Sequence, residues 1–376
     1  MKKKILFVSI HTDEFGAEKS LVSLMEYLNR HDFDTKLVIP HEGKITNLLN
    51  KSHVSYIVHK FWQSTNVGHG KRLIVGSIKT ALNKFEAYRL KHSLSNKDFI
   101  PDIIHTNAVG TEFGYYLSVA FGCPHVWHIR EFGKLEFDMD FDLGDRYMCN
   151  LIQKSAAVIA NSYAVRSYYE THYKIRKGWI NVVWNGIEKS DNVVHDFSLP
   201  SFRLLMIGRI SPEKGQEDAI NAMESIVKRG ITNICLDIYG KGVDESRISE
   251  MIKDKQLDDY IILKGYSPNI DYSKYHCGLV CSTNEAFGRV TVEYMMASIP
   301  VIGAGSGGTT EILTDETGRT YKPGDFVGLA EYIIQMNNCR QLCCEMGRKG
   351  RARAIEHFTT EIYANNIINI YSQLID

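Results

Sequence analysis

The chain contains two glutamates eight positions apart in the stretch EAFGRVTVE, residues 285–293. A turn-forming Ala-Phe-Gly follows Glu285, and residues 290–297 have the pattern of a helix that carries Glu293. This pattern predicts that Glu293 lies about one turn into the helix while Glu285 stays on the preceding loop. Carboxylates accept hydrogen bonds from vicinal hydroxyls, and a helix N-terminus favours anions. A polyhydroxyl ligand suits the pair, although glutamates at such spacing are more often solvated surface residues.

Two other loops follow apolar, strand-like runs. The loop GRISPEKG at 208–215 comes after residues 202–207 and places Arg209 and Lys214 before a helix that starts at Gln216. Cations on a strand-to-helix loop form an anion site, and arginine can bind two phosphate oxygens at once. The loop GSGGTTE at 305–311 follows a strand at 300–303, and its glycines let backbone amides approach a ligand. Either loop alone is an ordinary turn, but together with the glutamates they predict a site for a sugar linked to a diphosphate.

The combination of motifs resembles the retaining GT-B glycosyltransferases of family 4. The resemblance covers essentially the whole chain and is strongest in residues 180–325, where it rests on Gly208-Arg209 with Lys214-Gly215, Glu285 with Glu293, Gly307-Gly308 with Glu311, and VWNGI at 183–187. It implies an α/β fold of two doubly wound, Rossmann-like domains facing across a cleft. We expect an N-terminal acceptor-binding domain at 1–187, a linker at 188–201, a nucleotide-sugar-binding domain at 202–356, and a C-terminal helix at 357–376 that crosses back to the first domain.

The resemblance also implies roles for individual residues. Arg209 and Lys214 would bind the donor pyrophosphate, Glu293 the nucleotide ribose, and Glu285 the hydroxyls of the transferred sugar, over which His128 would lie. These roles make His128, Glu285, Arg209 and Lys214 the expected catalytic residues. The expected donor-binding residues are Gly16, Arg209, Lys214, Tyr266, Glu285, Phe287, Gly288, Arg289, Val290, Glu293, Gly307, Gly308 and Thr309.

The first half of the chain departs from the family pattern. The family often has two glycines after the first strand, where this chain has Phe15-Gly16-Ala17-Glu18. His128 lies in the strand-ending run WHIRE at 127–131, and a single histidine on a strand is usually structural. Its neighbours Arg130 and Glu131 are expected to pair with each other or with the loop. In the second half, Ser298 and Thr310 replace the family's usual glycine and proline.

The expected donor is a nucleotide-diphosphate sugar, with a UDP-sugar favoured and a GDP-sugar as the second candidate. No metal and no permanently bound cofactor are expected. The acceptor would be a hydroxyl of a glycan or of a lipid-linked glycan, in the synthesis of a bacterial-type surface polysaccharide such as capsule or O-antigen. Two alternatives stay open: a GT-B epimerase or hydrolase of sugar nucleotides, and a non-catalytic sugar-nucleotide-binding subunit of a transferase complex.

Composition sets the broad class. A chain of 376 residues with 44% apolar and 23% charged residues suits a two-domain globular protein. Basic and acidic residues both number 44, so no nucleic-acid partner is expected. Its eight cysteines lack zinc or disulfide-scaffold spacing, which predicts buried free thiols in a reducing compartment. The apolar run at 5–10 is too short for a signal sequence, so the cytoplasm is the expected location.

The stretch from Gly43 to Lys97 contains ten Lys or Arg residues and Glu86 as its single acid. Within it, residues 69–96 have basic side chains interleaved with apolar side chains at helical spacing. The apolar residues are Leu73, Ile74, Ile78, Leu82, Phe85 and Tyr88. Such a helix either packs its apolar face on the sheet, or lies on an anionic membrane, or binds an acidic polymer acceptor. We expect peripheral attachment to the inner face of the membrane.

Overall fold

A computed structural model of the protein describes residues 2–375. The chain divides into two compact units. Unit 1 runs to Glu188 and resumes at Thr360, and unit 2 spans Lys189–Thr359. Each unit has a parallel β-sheet whose strands alternate with helices. The predicted class, an α/β protein with two Rossmann-like units, is confirmed.

Unit 1 begins with the first strand of the chain. Its strands are β1 (Lys3–Ser9), β2 (Phe33–Ile39), β3 (Tyr56–Val58), β4 (Thr65–Val67), β5 (Ile103–Asn107), β6 (His125–Ile129), β7 (Met139–Phe141), β8 (Ala157–Ala160) and β9 (Ile180–Val182). The helices that alternate with them are α1 (Gly16–Arg30), α2 (Lys44–Lys51), α3 (Leu73–Ser95), α4 (Phe113–Phe121), α5 (Lys134–Phe137), α6 (Asp145–Lys154) and α7 (Tyr163–Thr171).

Unit 2 follows the same alternation. Its strands are β10 (Phe202–Ile207), β11 (Ile234–Tyr239), β12 (Ile261–Gly265), β13 (Cys277–Val280), β14 (Val301–Ala304) and β15 (Gly318–Tyr321). Its helices are α8 (Gln216–Lys228), α9 (Glu245–Asp254), α10 (Arg289–Met296), α11 (Thr309–Ile312), α12 (Phe326–Asn338) and α13 (Arg340–His357). Short 3-10 turns occur at Pro212–Lys214 and Tyr272–Lys274. The last helix, α14 (Thr360–Ser372), comes after unit 2 in the chain and belongs to unit 1.

The main sheet of unit 1 has the strand order β3-β2-β1-β5-β6-β8-β9, and all of its strand pairs are parallel. Strands β4 and β7 form a separate antiparallel pair. One face of the main sheet packs against α1 and α14 in a core that includes Leu24 and Tyr371. The other face packs against α3 and α4 through residues such as Leu90 and Phe113. Burial on both faces explains why the central strand β1 contains the continuous apolar run of residues 5–8.

The sheet of unit 2 has the order β12-β11-β10-β13-β14-β15, and its strand pairs are also parallel. The chain moves outward from β10 to β12 and then returns to the other side of β10 with β13. The strand order therefore reverses between β10 and β13. In open parallel sheets, ligands bind outside the carboxyl ends of the strands at such a switch point.

The interpretation in which the apolar stripe of α3 packs on the first sheet is wrong. Five of the stripe's side chains are between 53% and 80% exposed: Leu73, Ile74, Ile78, Phe85 and Tyr88. The side of α3 that packs inward contains several polar residues, among them Thr80, Asn83 and Glu86. The inward side is fixed by polar contacts, because Asn83 exchanges hydrogen bonds of 2.8 and 3.0 Å with the backbone of Trp62. Helical spacing predicted the apolar face correctly but not the direction in which it points.

The cysteines also depart in part from expectation. All eight are free thiols, but Cys339 and Cys344 are exposed rather than buried. Burial raises the pKa of the Cys281 and Cys343 thiols to about 12, which keeps them protonated and unreactive. Within residues 2–375, none of the helices combines the length and the apolar composition that crossing a bilayer requires.

Candidate functional site

The reversal of strand order in unit 2 brings two loops together. The loop 208–215 leaves the carboxyl end of β10, and the loop 281–288 leaves that of β13, the strand beside it. Lys214 lies on the first loop and Glu285 on the second, and Nζ of Lys214 donates to Oε2 of Glu285 over 3.0 Å. Their side chains are 24% and 19% exposed, so the ion pair is only partly screened by water. The structure thus brings together two of the residues that the sequence assigned to one site.

A close backbone approach fixes the position of Lys214. Gly215 has φ +69°, and a Cβ atom there would lie 2.2 Å from the carbonyl oxygen of Cys281. Only glycine allows this left-handed turn against the neighbouring strand. The amide of Thr283 also donates to the carbonyl of Glu213 over 3.1 Å, which ties the two loops together directly.

Arg209 has a partner that the sequence did not indicate. Its guanidinium donates to Oε1 of Glu213 in the 3-10 turn of the same loop. Burial raises the pKa of Glu213, but its own backbone amide, Ser211 and Arg209 outweigh that effect and hold the pKa below its usual value. The Arg209 side chain is 45% exposed, and Gln216 anchors the Arg209 carbonyl with a 2.9 Å hydrogen bond. Arg209 is therefore held by a carboxylate and still reaches solvent.

The glycine-rich loop after β14 packs on the backbone of Glu285. Gly307 has φ +52°, and a Cβ atom there would lie 2.0 Å from the Glu285 carbonyl oxygen. The amide of Gly308 donates to that same carbonyl over 2.7 Å. Ser306 adds a hydrogen bond of 2.8 Å to the carbonyl of Ser282. Glu285 is thus positioned by contacts with the loops that follow both β10 and β14.

Helix α10 carries the second glutamate, as the sequence predicted. Gly288, at φ +106°, precedes its first turn, and Arg289 lies 3.4 Å from Glu293 on the next turn. Glu293 keeps a side-chain exposure of 29%. The hydroxyl of Tyr294 accepts from the amide of Ile207 and donates to a carbonyl of β10, so α10 is fixed to the strand that carries the Arg209 loop.

The remaining predicted donor residues occupy different environments. Phe287 is 3% exposed and packs edge-on against Phe358, so only its backbone can contact a ligand. Tyr266, after β12, is 62% exposed. Thr309 is fully buried, and its hydroxyl has no hydrogen-bond partner among residues 2–375. Val290 is partly buried in α10, whereas Gly16 lies in unit 1 as the first residue of α1.

His128 lies in β6 of unit 1 and is fully buried. Its Nδ1 is 3.2 Å from Nε2 of His105, whose Nδ1 is 2.6 Å from the hydroxyl of Tyr371. Its Nε2 has no partner among the residues that the structure describes. Burial, followed by the nearby Arg130 and His105, holds the pKa of His128 well below its usual value. His128 is therefore neutral. Its contact with His105, and through that ring with Tyr371, was not predicted from the sequence.

Arg130 and Glu131 were expected to pair with each other or with the loop, and Glu131 does contact the loop. Glu131 accepts from two loop amides, those of Val109 and Arg130, at 2.9 and 3.2 Å. The guanidinium of Arg130 instead donates to Asn107, Asn185 and Tyr363. Asn185 belongs to the VWNGI motif, so this buried arginine holds the end of unit 1's first segment against β5 and α14.

Over residues 2–375, the histidine, cysteine, aspartate and glutamate side chains form no group of three or more that could hold a metal ion.

Two family models match the chain. The model for glycosyl transferases group 1 matches residues 189–353, and the model for glycosyltransferase family 4 matches residues 16–191. The chain belongs to the glycosyltransferase family that these two models describe, family 4 or group 1. The motifs on which the resemblance rested lie within these matches, including the Lys214 loop and the two glutamates.

Several curated bacterial proteins are similar to part of the chain. The chain is 29% identical over 170 residues to the poly(ribitol-phosphate) alpha-N-acetylglucosaminyltransferase of Staphylococcus aureus, covering 44% of this chain and 34% of the relative. It is 27% identical over 188 residues to the capsular polysaccharide biosynthesis glycosyltransferase CapM of Staphylococcus aureus, covering 49% of each. It is 27% identical over 171 residues to the N-acetyl-alpha-D-glucosaminyl L-malate synthase of Bacillus anthracis, covering 45% and 44%. The chain spans less than half the length of each of these relatives.

Solved structures share the whole fold. Anabaena HepE in complex with UDP and glucose superposes with a TM-score of 0.82 at 21% identity, covering 99% of this chain and 100% of HepE. TarM superposes with a TM-score of 0.79 at 16% identity, covering 99% of both chains. At these identities the likeness establishes the GT-B fold of this family member.

Proposed function

We propose that this protein is a retaining glycosyltransferase that moves a sugar from a nucleotide-diphosphate sugar to a hydroxyl acceptor. The observation that carries this assignment is the Lys214–Glu285 pair at the switch point of the unit 2 sheet. It places a cation suited to a diphosphate beside a carboxylate suited to sugar hydroxyls.

Residues of unit 2 would bind the negatively charged diphosphate of the donor. Arg209 and Lys214 would bind the pyrophosphate, and the amides of the glycine-rich loop at Gly307 and Gly308 would approach its oxygens or the sugar. Glu293 would accept hydrogen bonds from the ribose hydroxyls. We favour UDP as the nucleotide, because the similar HepE structure was determined with UDP, and GDP is the second candidate.

The ion pair suggests how the site keeps its charge balanced. Before the donor binds, the Lys214 ammonium and the Glu285 carboxylate neutralise each other at 3.0 Å. A bound diphosphate would compete for Lys214, which would leave Glu285 able to accept hydrogen bonds from the transferred sugar. Cations aimed at the departing diphosphate stabilise the charge that develops in the transition state.

Retention would follow from attack on the same face that the diphosphate leaves. The bond between the anomeric carbon and the phosphate oxygen breaks as the bond to the acceptor oxygen forms, and a phosphate oxygen takes the acceptor's proton. In unit 1, we assign His128 to a hydroxyl of the transferred sugar. Its neutral imidazole can form a hydrogen bond there without adding charge.

The acceptor would be a growing bacterial surface glycan or its lipid-linked form. The relatives named for ribitol-phosphate polymer and capsule support this class of acceptor. The chain matches less than half the length of each of these relatives. The identity of the polymer is therefore part of the proposal.

The exposed stripe of α3 supports contact with an anionic membrane. Ile74, Ile78, Phe85 and Tyr88 are all at least 53% exposed on one face of the helix. The one acid of α3, Glu86, is 8% exposed and pairs with Arg89 and His59. An exposed apolar face beside basic side chains and without exposed acids matches the charge and polarity of an anionic lipid surface.

Fewer basic residues serve this surface than the sequence suggested. Arg72 and Lys79 both bind the buried carboxylate of Asp142, at 2.9 and 2.7 Å. Lys71 and Lys84 remain exposed beside the apolar stripe. Attachment would therefore depend mainly on the apolar side chains, with a smaller contribution from charge.

One assay separates the proposed transfer from the two alternatives. Release of nucleoside diphosphate is measured with a panel of nucleotide-sugars, with and without glycan acceptors. A transferase releases the nucleotide quickly only with an acceptor, and the product keeps the anomeric configuration of the donor. Equal release without acceptor would identify a hydrolase or epimerase. Binding without turnover under any condition would identify a non-catalytic subunit.

A further inference from the structure

Three buried side chains from distant parts of unit 1 form a continuous hydrogen-bonded line. Tyr371 in α14 lies 266 positions from His105 in β5, and its hydroxyl is 2.6 Å from Nδ1 of that ring. Nε2 of His105 is 3.2 Å from Nδ1 of His128 in β6. All three side chains are at most 1% exposed. The line ends at Nε2 of His128, which has no partner among residues 2–375.

Both imidazoles in this line are neutral. Burial is the largest cause that lowers the pKa of His105 and of His128 well below the usual value, and Arg130 lowers both further. A neutral imidazole has one nitrogen that donates and one that accepts. If both hydrogen bonds of the line form, the protons of the two neutral histidines and the hydroxyl can therefore be arranged in only two ways.

In the first arrangement, the Tyr371 hydroxyl donates to Nδ1 of His105. Nε2–H of His105 then donates to Nδ1 of His128, and the proton of His128 is on Nε2. Every polar atom of the line is paired except Nε2–H of His128.

In the second arrangement, every bond is reversed. Nδ1–H of His128 donates to His105, and Nδ1–H of His105 donates to the Tyr371 oxygen. The hydroxyl hydrogen of Tyr371 then has no other acceptor in the part of the chain that the structure describes. Each arrangement therefore leaves one buried donor without a partner, but this one also leaves the lone pair on Nε2 of His128 unpaired, and every unpaired buried polar group is costly. The first arrangement is therefore the more stable one.

We propose that Tyr371 and His105 are positioning residues that hold His128 as the Nε2–H tautomer. This inference rests on the proposed function, in which His128 contacts the transferred sugar. It adds that His128 donates its hydrogen bond to an oxygen of the substrate rather than accepting one from a hydroxyl. The C-terminal helix would in this way set the chemistry of a residue on the central sheet of unit 1.

The tautomer can be measured on the full-length protein without substrate. In protein labelled with ¹⁵N-histidine, two-bond ¹H–¹⁵N correlation spectra distinguish a protonated from an unprotonated ring nitrogen. The His128 signals are those that disappear in His128→Gln. We expect a protonated Nε2 and an unprotonated Nδ1. A proton on Nδ1, or on both nitrogens, would overturn the proposal whether or not the protein transfers sugar.

Two variants of α14 test which residue sets the tautomer. Tyr371→Phe removes the donor at the end of the line, so we expect the His128 signals to show a mixture of tautomers. Tyr363→Phe removes a hydroxyl from the same helix that contacts Arg130 instead, and should leave the tautomer as in the wild type. Unchanged His128 signals in a folded Tyr371→Phe protein would show that Tyr371 does not have this role.

Kinetics add a readout once the reaction is established. Tyr371→Phe should lower kcat about fivefold with little change in KM for the donor, because nucleotide contacts are untouched. His105→Gln, whose amide can both accept from Tyr371 and donate to His128, should keep more activity than His105→Leu. The correct tautomer in a protein without transferase activity would contradict the proposed function alone.

Discussion

Lys214 and Glu285 lie 71 positions apart in the chain, yet Nζ of Lys214 donates to Oε2 of Glu285 over 3.0 Å. The sheet topology explains the contact, because β10 and β13 are adjacent parallel strands and both loops leave the same edge. Each side chain is mostly buried, so either charge alone would be poorly solvated. The pair therefore supports the folded site and also presents the two charges that a sugar diphosphate needs.

Removing the cations should reduce turnover while the fold persists. We expect Lys214→Ala to lower kcat by at least about a hundredfold, by analogy with a lost transition-state donor worth roughly 3 kcal/mol. Arg209→Ala should act in the same direction. Lys228→Ala is the matched control, since its exposed ammonium pairs with Glu224 at the far end of α8. Normal turnover in a folded Arg209→Ala/Lys214→Ala protein would remove these residues from the active site.

The glycine-rich loop should not tolerate a side chain at Gly307. A methyl group there would meet the Glu285 carbonyl at 2.0 Å, in a backbone conformation with φ +52°. We expect Gly307→Ala to lower the free energy of unfolding by roughly 2–5 kcal/mol, from backbone strain and overpacking together. Gly178→Ala separates the two causes, because Gly178 has φ +77° but no atom within 4 Å of the added methyl group. Equal losses in denaturant melts of the two variants would contradict the steric explanation.

Much of unit 2 could be predicted from the sequence. Strand β10 was predicted at the bounds that the structure has, because five of its six residues, 202–207, are apolar. The helix start at Gln216 was also predicted, since a glycine that ends a cationic loop marks the turn before it. These signals are local, so each can be recognised within about ten residues of sequence.

Other features depend on contacts that no local pattern encodes. Glu213 pairs with Arg209 because a 3-10 turn places the two side chains together. The link from Tyr371 to His128 joins three elements, of which one follows the whole of unit 2 in the chain. For α3, periodicity revealed an apolar face, but polar anchors such as Asp142 and Asn83 decide that this face points outward.

Transfer should survive removal of divalent metal ions. Arg209 and Lys214 can neutralise the diphosphate without a metal ion, so we expect activity in EDTA to stay within about twofold of the untreated enzyme. The measurement compares initial rates in EDTA and after addition of Mg²⁺ or Mn²⁺. Complete loss of activity in EDTA that either metal restores would reveal a metal requirement.

The exposed face of α3 should attach the protein to anionic vesicles. We expect co-sedimentation with phosphatidylglycerol-containing liposomes, and Ile78→Ser/Phe85→Ser should abolish it because these side chains are 56% and 60% exposed. Raising the salt concentration should weaken binding only in part. Salt screens the attraction between basic side chains and anionic lipids, and most basic side chains of this region that the structure pairs, such as Arg72 and Lys79, are already bound to acids. The exposed Val243 of unit 2 offers a control as Val243→Ser. Absence of wild-type binding at low salt would favour a soluble acceptor.

Titration calorimetry with free UDP and GDP tests the central assignment, a nucleotide-sugar site in unit 2. We expect saturable binding of one of the two nucleotides to the wild-type protein. Glu293→Gln should weaken that binding at least about tenfold, because a charge-assisted hydrogen bond to the ribose is lost. Glu285→Gln should leave the affinity within about twofold, because Glu285 contacts the sugar that the free nucleotide lacks. No saturable binding of either nucleotide to the wild-type protein, or equal losses in the two variants, would contradict the account.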